Sequence, residues 1–306
     1  MKKITSIFLA MILSVFAFNC YAQSSSGLAD ERFAKADQWL HQKNLSITKS
    51  TSQAFVDSHI VVEGEGLPSR EAMTTGQKRL TAIRAAEVVA YRRLAEFLEG
   101  VGIAGDSTTK DLTLKYDTVR ITVTGFVKGA QVIYREYNEK DETALVLLKV
   151  GVTGPAGYGE AIYTKVMKDP KVRDEIEDKT VKPFVVPQPA VLEASYDGLI
   201  IDATEHNFRP ALINRVFTVK GEALYDPSKV QEKILVEHGC GDYTNNVEKA
   251  KSALKSRGVQ NPLLVKASGT LSPSDLKVSD DDAVRIFTAN QKTNFLNSAK
   301  VAFVLK

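Results

Sequence analysis

The hydrophobic and polar positions change period several times along the chain, and each change marks an expected element. Leu28, Phe33, Ala36, Trp39 and Leu40 fall on one side of a helix, which predicts a short amphipathic helix over 28–42. The polar stretch 44–52 reads as loop. The Val- and Ile-rich run 54–65, closed by Gly64 and Gly66, reads as a strand. The clearest element spans 71–99, where Leu80, Ile83, Ala86, Val89, Ala90, Leu94 and Phe97 recur at helical spacing opposite a charged face. Gly100 and Gly102 end it. From 118 the period drops to two. Val119, Ile121, Val123 and Val127 share one parity, and Thr118, Arg120, Thr122, Thr124 and Lys128 share the other. This pattern predicts a half-buried strand with one wet face, running on through Gly129-Ala130 to Tyr137. A polar turn at 138–142 and a return strand at 143–150 complete a hairpin.

The connector 151–194 opens with Gly151, Gly154, Pro155, Gly157 and Gly159, then turns helical over 160–179. Asp169-Pro170 interrupts that helix, with Asp as a cap and Pro as a first-turn residue. Pro183, Pro187 and Pro189 predict an extended, semi-rigid linker. Beyond 195, strands at 198–203, 215–219, 222–225, 262–267 and 299–305 alternate with helices at 245–256 and 280–290, which suggests a partly parallel sheet. The expected fold class is α+β: an N-terminal antiparallel sheet covered by one long helix, followed by a mixed-sheet α/β domain. The expected divisions are a signal peptide at 1–22, a helix and loop at 23–53, the first domain at 54–150, the connector at 151–194 and the second domain at 195–306.

Composition narrows the class. With 306 residues, 43% hydrophobic and 25% charged, the chain excludes wholesale disorder, collagen-like repeats and coiled coil. Lys2 and Lys3 precede an apolar run from Ile4 to Phe18, too short to span a bilayer, and the polar 23–27 follows. That is a secretory signal, with Cys20 and Ala22 as the small residues before a cut between Ala22 and Gln23. The alternative is a lipoprotein acylated at Cys20, although Ala17, Phe18 and Asn19 fit that peptidase poorly. Removing Lys2 and Lys3 leaves 38 basic against 37 acidic residues, a net charge of +1, too small a field to hold nucleic acid. Cleavage also leaves Cys240 as the single cysteine, so no internal disulfide framework is expected.

Chemistry-bearing residues are sparse. His238 and Cys240, in Glu237-His238-Gly239-Cys240-Gly241-Asp242, could form an activated thiol or part of a metal site. The competing reading is a glycine-rich turn with a half-buried thiol acting as a small hydrophobe. Asp202, Glu205 and His206 follow a buried strand, where α/β ligand sites often sit, although an Asp there also closes turns. The glycine-rich runs 125–129 and 154–159 lack a phosphate-loop signature. Asp280-Asp281-Asp282 opens a helix, where carboxylates favour its dipole. No catalytic residue, cofactor or metal site is expected.

The run Ile83-Arg84-Ala85-Ala86 to Ala90-Tyr91-Arg92-Arg93-Leu94-Ala95-Glu96, with Gly100-Val101-Gly102-Ile103, 123–133 and 144–150, resembles the Lpp-twenty lipoprotein domain. That domain is itself similar to the N-terminal portion of flagellar assembly protein T and to flagellar outer-membrane lipoprotein P. The segments 195–203, 208–212 and 262–267 look like a C-terminal module of bacterial envelope proteins. The resemblance implies a non-enzymatic envelope protein of a Gram-negative cell, structural or assembly in role and tied to motility. Its implied partners are envelope proteins, outer-membrane or flagellar ones included, or further copies of itself. Its implied location is the periplasm, or the outer membrane if Cys20 is acylated. A binding module for a cell-wall or small-molecule ligand is the alternative.

Overall fold

The computed structural model describes residues 31–177, 181–186, 191–192 and 194–306. The expected leader with Cys20 and its Ala22–Gln23 cut, the start of the first helix at Leu28, and the linker residues Pro187 and Pro189 lie outside the described residues. A 3-10 turn at Glu31–Phe33 leads into α1 (Ala34–Gln42), followed by α2 (Thr51–Asp57), β1 (His59–Gly66) and the long α3 (Thr75–Glu99). Next come the short β2 (Gly102–Ala104) and β3 (Ser107–Thr108), α4 (Thr109–Lys115), α5 (Asp117–Lys128), β4 (Gln131–Asn138) and β5 (Thr143–Gly151). The fold class is α+β, with a three-stranded antiparallel sheet of order β1-β5-β4 under α3.

That sheet is covered on both faces. Ile60, Val62, Val146 and Leu148 point into the main core with α3, while Val61, Leu145 and Leu147 pack on Phe33, Ala36 and Leu40. Burial from both sides explains why β5 is a continuous apolar run rather than an alternating one. The loop before α2 closes the outer edge of β1: Thr48 N donates to Val61 O at 2.9 Å, and Val61 N donates to Thr48 Oγ1 at 2.9 Å.

Three expectations in this half need correction. Residues 54–57 belong to α2, and Ser58, in the left-handed region, separates that helix from β1. The helix α3 buries Ala82, Ala86, Ala90, Leu94 and Leu98, a row at four-residue spacing, and leaves Leu80 70% exposed. The expected strand from 118 is the helix α5 as far as Lys128, and only 131–138 is extended. Local β-branched content favours a strand there. Tertiary packing instead selects Val119 and Thr122 for burial, with Val123 and Phe126 packed against the core, and leaves Ile121 70% exposed. Thr122 therefore leaves the expected wet face, and Thr118 donates to Asp169 Oδ2 at 2.8 Å.

The connector is largely part of the core. The turn α6 (Tyr158–Ala161), its continuation Ile162–Val166 and α7 (Pro170–Ile176) bury Tyr158, Ile162, Tyr163, Val166, Val172 and Ile176. Asp169 caps α7 through Lys171 N, and Pro170 starts it, as the spacing predicts. Pro183 bridges to Ala223, and Phe184 N donates to Ala223 O at 2.9 Å, so this part of the expected linker is pinned to a strand.

The second half contains β6 (Gly198–Asp202), β7 (Ala211–Ile213), β8 (Val216–Thr218), β9 (Ala223–Tyr225) and α8 (Glu232–His238). It continues through β10 (Asp242–Thr244), α9 (Val247–Ser256), β11 (Pro262–Ser272), β12 (Asp275–Val278), α10 (Asp280–Thr293) and β13 (Val301–Val304). Its seven-stranded mixed sheet runs β10-β13-β6-β11-β12-β8-β9, with β10, β13, β6 and β11 parallel. Ile200, Ala302 and Val304 meet Ala250 and Leu254 of α9 on one face, and Leu199, Ile201 and Phe303 join the main core on the other. A small sheet β3-β2-β7 joins the two halves, with Gly102 opposite Ala211 and Ala104 opposite Ile213.

The helix α3 lies close against β1 at two glycines. A Cβ on Gly64 would lie 2.2 Å from Ala86 O and 2.3 Å from Ala90 N, and one on Gly66 would lie 2.3 Å from Ala82 O and Ala86 N. Gly64→Ala relieves about 0.5–1 kcal/mol of chain entropy, but the methyl group collides with backbone, and overpacking of this kind costs about 1–3 kcal/mol or more. Net destabilisation is expected for Gly64→Ala and Gly66→Ala, read as a lower urea midpoint. An unchanged or raised midpoint would show that α3 stands further from the sheet.

Candidate functional site

The side chains of the two sequence candidates meet partners within the chain. After β6, the Asp202 carboxylate folds back onto its own turn, accepting from Thr204 N at 3.1 Å and Thr204 Oγ1 at 2.7 Å. His206 Nε2 lies 3.0 Å from Ala267 O, and Glu205 pairs with Lys266 at 3.4 Å on the surface. The three side chains thus share one turn at the strand end, and each has a partner within the chain.

His238 and Cys240 diverge. His238 ends α8 with Nε2 3.7 Å from the Glu237 carboxylate; Gly239 follows at φ 71, and Cys240 turns into the core with 1% of its surface exposed. Burial and, behind it, the Arg257 charge hold the His238 imidazole below its usual range, while burial pushes the Cys240 thiol up. A thiol so placed is disfavoured as a thiolate and resembles a small apolar side chain.

Cys240 belongs to a polar knot that residue spacing did not reveal. Cys240 Sγ lies 3.0 Å from the Tyr243 hydroxyl, which reaches Ala211 O at 2.9 Å and also Asn214 Oδ1. Buried Asn214 accepts from Ala211 N at 2.7 Å and donates to Arg209 O at 3.2 Å and to Ser274 O. Tyr225 donates to Cys240 O at 2.7 Å, and Tyr163 of the connector donates to Leu212 O at 2.6 Å. Every one of these bonds ends on a backbone group or on another member of the knot, which is the pattern of buried polar groups that hold a core in register.

A different place has the shape of a site. An open cleft of about 530 Å³ lies between α5, the end of the β4–β5 pair and α6. The glycine-rich runs 125–129 and 154–159 face each other across it, with Gly125, Gly129 and Gly157 in its walls. Lys149 of β5 and Lys165 supply its cations, and Glu160 supplies its carboxylate. Glu160 is already engaged, accepting from Ala156 N. His59, opposite Gly151 in the sheet, is held below its usual range by burial first and by the Lys149 charge second. The signal for this cleft was present in the two glycine runs, but 24 residues of chain and a mistaken strand separated them. Among the described residues no group of three or more His, Cys, Asp or Glu side chains could hold a metal ion.

Comparison with known proteins bears on the second half only. Residues 198–306, about a third of the chain, match a family model described as Treponema pallidum Tp0624, second domain. The match begins at the first residue of β6 and takes in the whole seven-stranded sheet. The chain matches no curated protein.

Two measurements check the knot. Cys240 is expected to react with an aromatic disulfide reagent only as fast as the chain unfolds, and Cys240→Ala to lower stability by about 1 kcal/mol; fast native-state labelling would expose the thiol as accessible. Burial holds Tyr163, Tyr225 and Tyr243 protonated well above the usual 10.0. Above that pH the unfolded chain releases protons that the native one retains, so stability falls as pH rises, by up to about 1.4 kcal/mol per pH unit for each phenol. Tyrosinate absorbance should therefore appear in two stages, the second coinciding with loss of near-ultraviolet circular dichroism.

Proposed function

We propose that this chain is an exported, non-enzymatic component of a bacterial cell envelope, a structural or assembly protein of a periplasmic or outer-membrane complex. The observation that carries this reading is how the reactive side chains are used. Cys240, Asp202 and His206 are each engaged inside the chain, and His238 and Glu205 meet surface partners. The outer edge of β4 also favours a role through surfaces: β4 ends its sheet, and no strand pairs with that edge among the described residues. Such an edge offers unpaired backbone groups to a neighbouring chain. The resemblance of 54–150 to the Lpp-twenty domain adds flagellum-associated assembly as the specific version.

Fractionation of cells producing a tagged chain, with mass spectrometry of the mature N-terminus, tests the proposal. The expected result is a periplasmic protein that begins at Gln23; an acylated chain beginning at Cys20 in the outer membrane keeps the envelope role. A cytoplasmic protein retaining Met1 overturns it. Deletion of the gene with normal swimming removes the flagellar version alone.

The cleft favours a second reading, a periplasmic binding module for a cell-wall or small-molecule ligand. Its volume of about 530 Å³ lies within the range of small-molecule sites.

A further inference from the structure

The cleft wall contains a glycine that the fold does not require. Gly125 lies in the last turn of α5, its carbonyl accepting from Gly129 N at 3.2 Å, and a glycine within a helix weakens it by up to about 1 kcal/mol relative to alanine. A Cβ at this position would meet nothing within 4 Å. Gly157 across the cleft differs, because a Cβ there would lie 2.7 Å from Thr153 O. The absent side chain at Gly125 leaves space in the cleft without serving the packing of α5.

Charge supplies the second observation. Lys149 and Lys165 line the same space, and neither has an ion-pair partner among the described residues, whereas Lys115 and Lys168, on neighbouring elements, pair with Glu175 and Glu232. Glu160 lines the same space but accepts from the Ala156 backbone and forms no ion pair with either lysine among the described residues. Thr122 and Gln131 add polar groups to the lining. The result is a partly enclosed, glycine-walled space whose two lysines outnumber its one carboxylate, where a small anion finds donors at little desolvation cost.

We propose that this cleft binds a small molecule carrying a carboxylate or phosphate group, held between Lys149 and Lys165, with the body of the ligand lying against the glycine wall at Gly125. The proposal rests on the ligand-binding reading and is independent of the envelope location. Carboxylates of cell-wall peptides and inorganic or organic phosphates share the required chemistry.

Calorimetry and thermal shift with three probes separate the possibilities: inorganic phosphate, muramyl dipeptide, and the same dipeptide with its carboxylate converted to the neutral amide. Saturable binding of phosphate or of muramyl dipeptide is expected, with the neutral amide at least about tenfold weaker. Lys149→Gln and Lys165→Gln should each weaken the bound anion about tenfold, and Lys43→Gln, outside the cleft, should not. Gly125→Ala should melt at or above the parent temperature, whereas Gly125→Phe should remain folded and lose binding. Equal binding of acid and amide would overturn the anion assignment and leave a ligand site standing, as would binding indifferent to both lysines. Failure of all three probes to saturate below about 10 mM would overturn the assignment and the binding reading together.

Discussion

Two missing side chains on one strand set the distance on which the first half of this protein is built. At Gly64 and Gly66 the strand β1 approaches α3 until only a backbone without Cβ fits against Ala82, Ala86 and Ala90. Dispersion falls off steeply with separation, so backbone-to-backbone packing over several turns fixes the helix in height and in rotation. The consequences run outward. Held this way, α3 presents Tyr91, whose hydroxyl donates to Ala130 O at 3.3 Å and anchors the junction between α5 and β4. Its arginine Arg93 crosses to Glu63 on β1, and Lys78 reaches Glu142 in the β4–β5 turn. The orientation of α5, and so one wall of the cleft, follows from that first contact.

The second half is joined to the first by backbone and by buried polarity rather than by a loose tether. Pairing of β2 with β7 continues a sheet across the join, and Arg209 donates to the carbonyls of Gly105 and Asp106 at 3.3 and 3.0 Å. Ser274 adds a bond to Gly105 O at 2.8 Å. Behind β7 the knot of Asn214, Tyr243, Tyr225, Tyr163 and Cys240 satisfies donors and acceptors that three separate stretches of chain bring together. Buried groups of this kind add little net energy when paired and are expensive when unpaired, so they restrict how the elements can be arranged more than they stabilise them. The same logic accounts for the fate of Cys240 and Asp202. Residue types that serve catalysis elsewhere here supply hydrogen bonds to turns and strands.

The cleft has the opposite character. Its helix carries a glycine that packing does not use, and its lysines lack ion-pair partners among the described residues. A region that forgoes stability in this way contrasts with the tight seam between β1 and α3. Every residue that lines the cleft lies outside 198–306, so the match to the Treponema domain neither supports nor opposes a ligand there.

Period and punctuation in the sequence determined much of this architecture. The helical spacing of Leu80, Ile83, Ala86, Val89, Ala90, Leu94 and Phe97 made α3 legible, although not its buried face, the turn glycines and apolar runs marked β5, β6 and the β8–β9 hairpin, and Asp169-Pro170 marked the start of α7. Those features are local, and local sterics and solvation suffice to produce them. Tertiary structure alone decided the rest. Val119 to Val127 fit both a period of two and a helical face, and only packing against the core chose the helix. The strands β2, β3, β7 and β10 are two or three residues long and exist because a neighbour supplies their hydrogen bonds. The cleft joins glycines and lysines drawn from α5, β5 and the connector, and a site assembled from distant segments leaves no spacing in the chain, because its geometry exists only once the seam between β1 and α3 has formed.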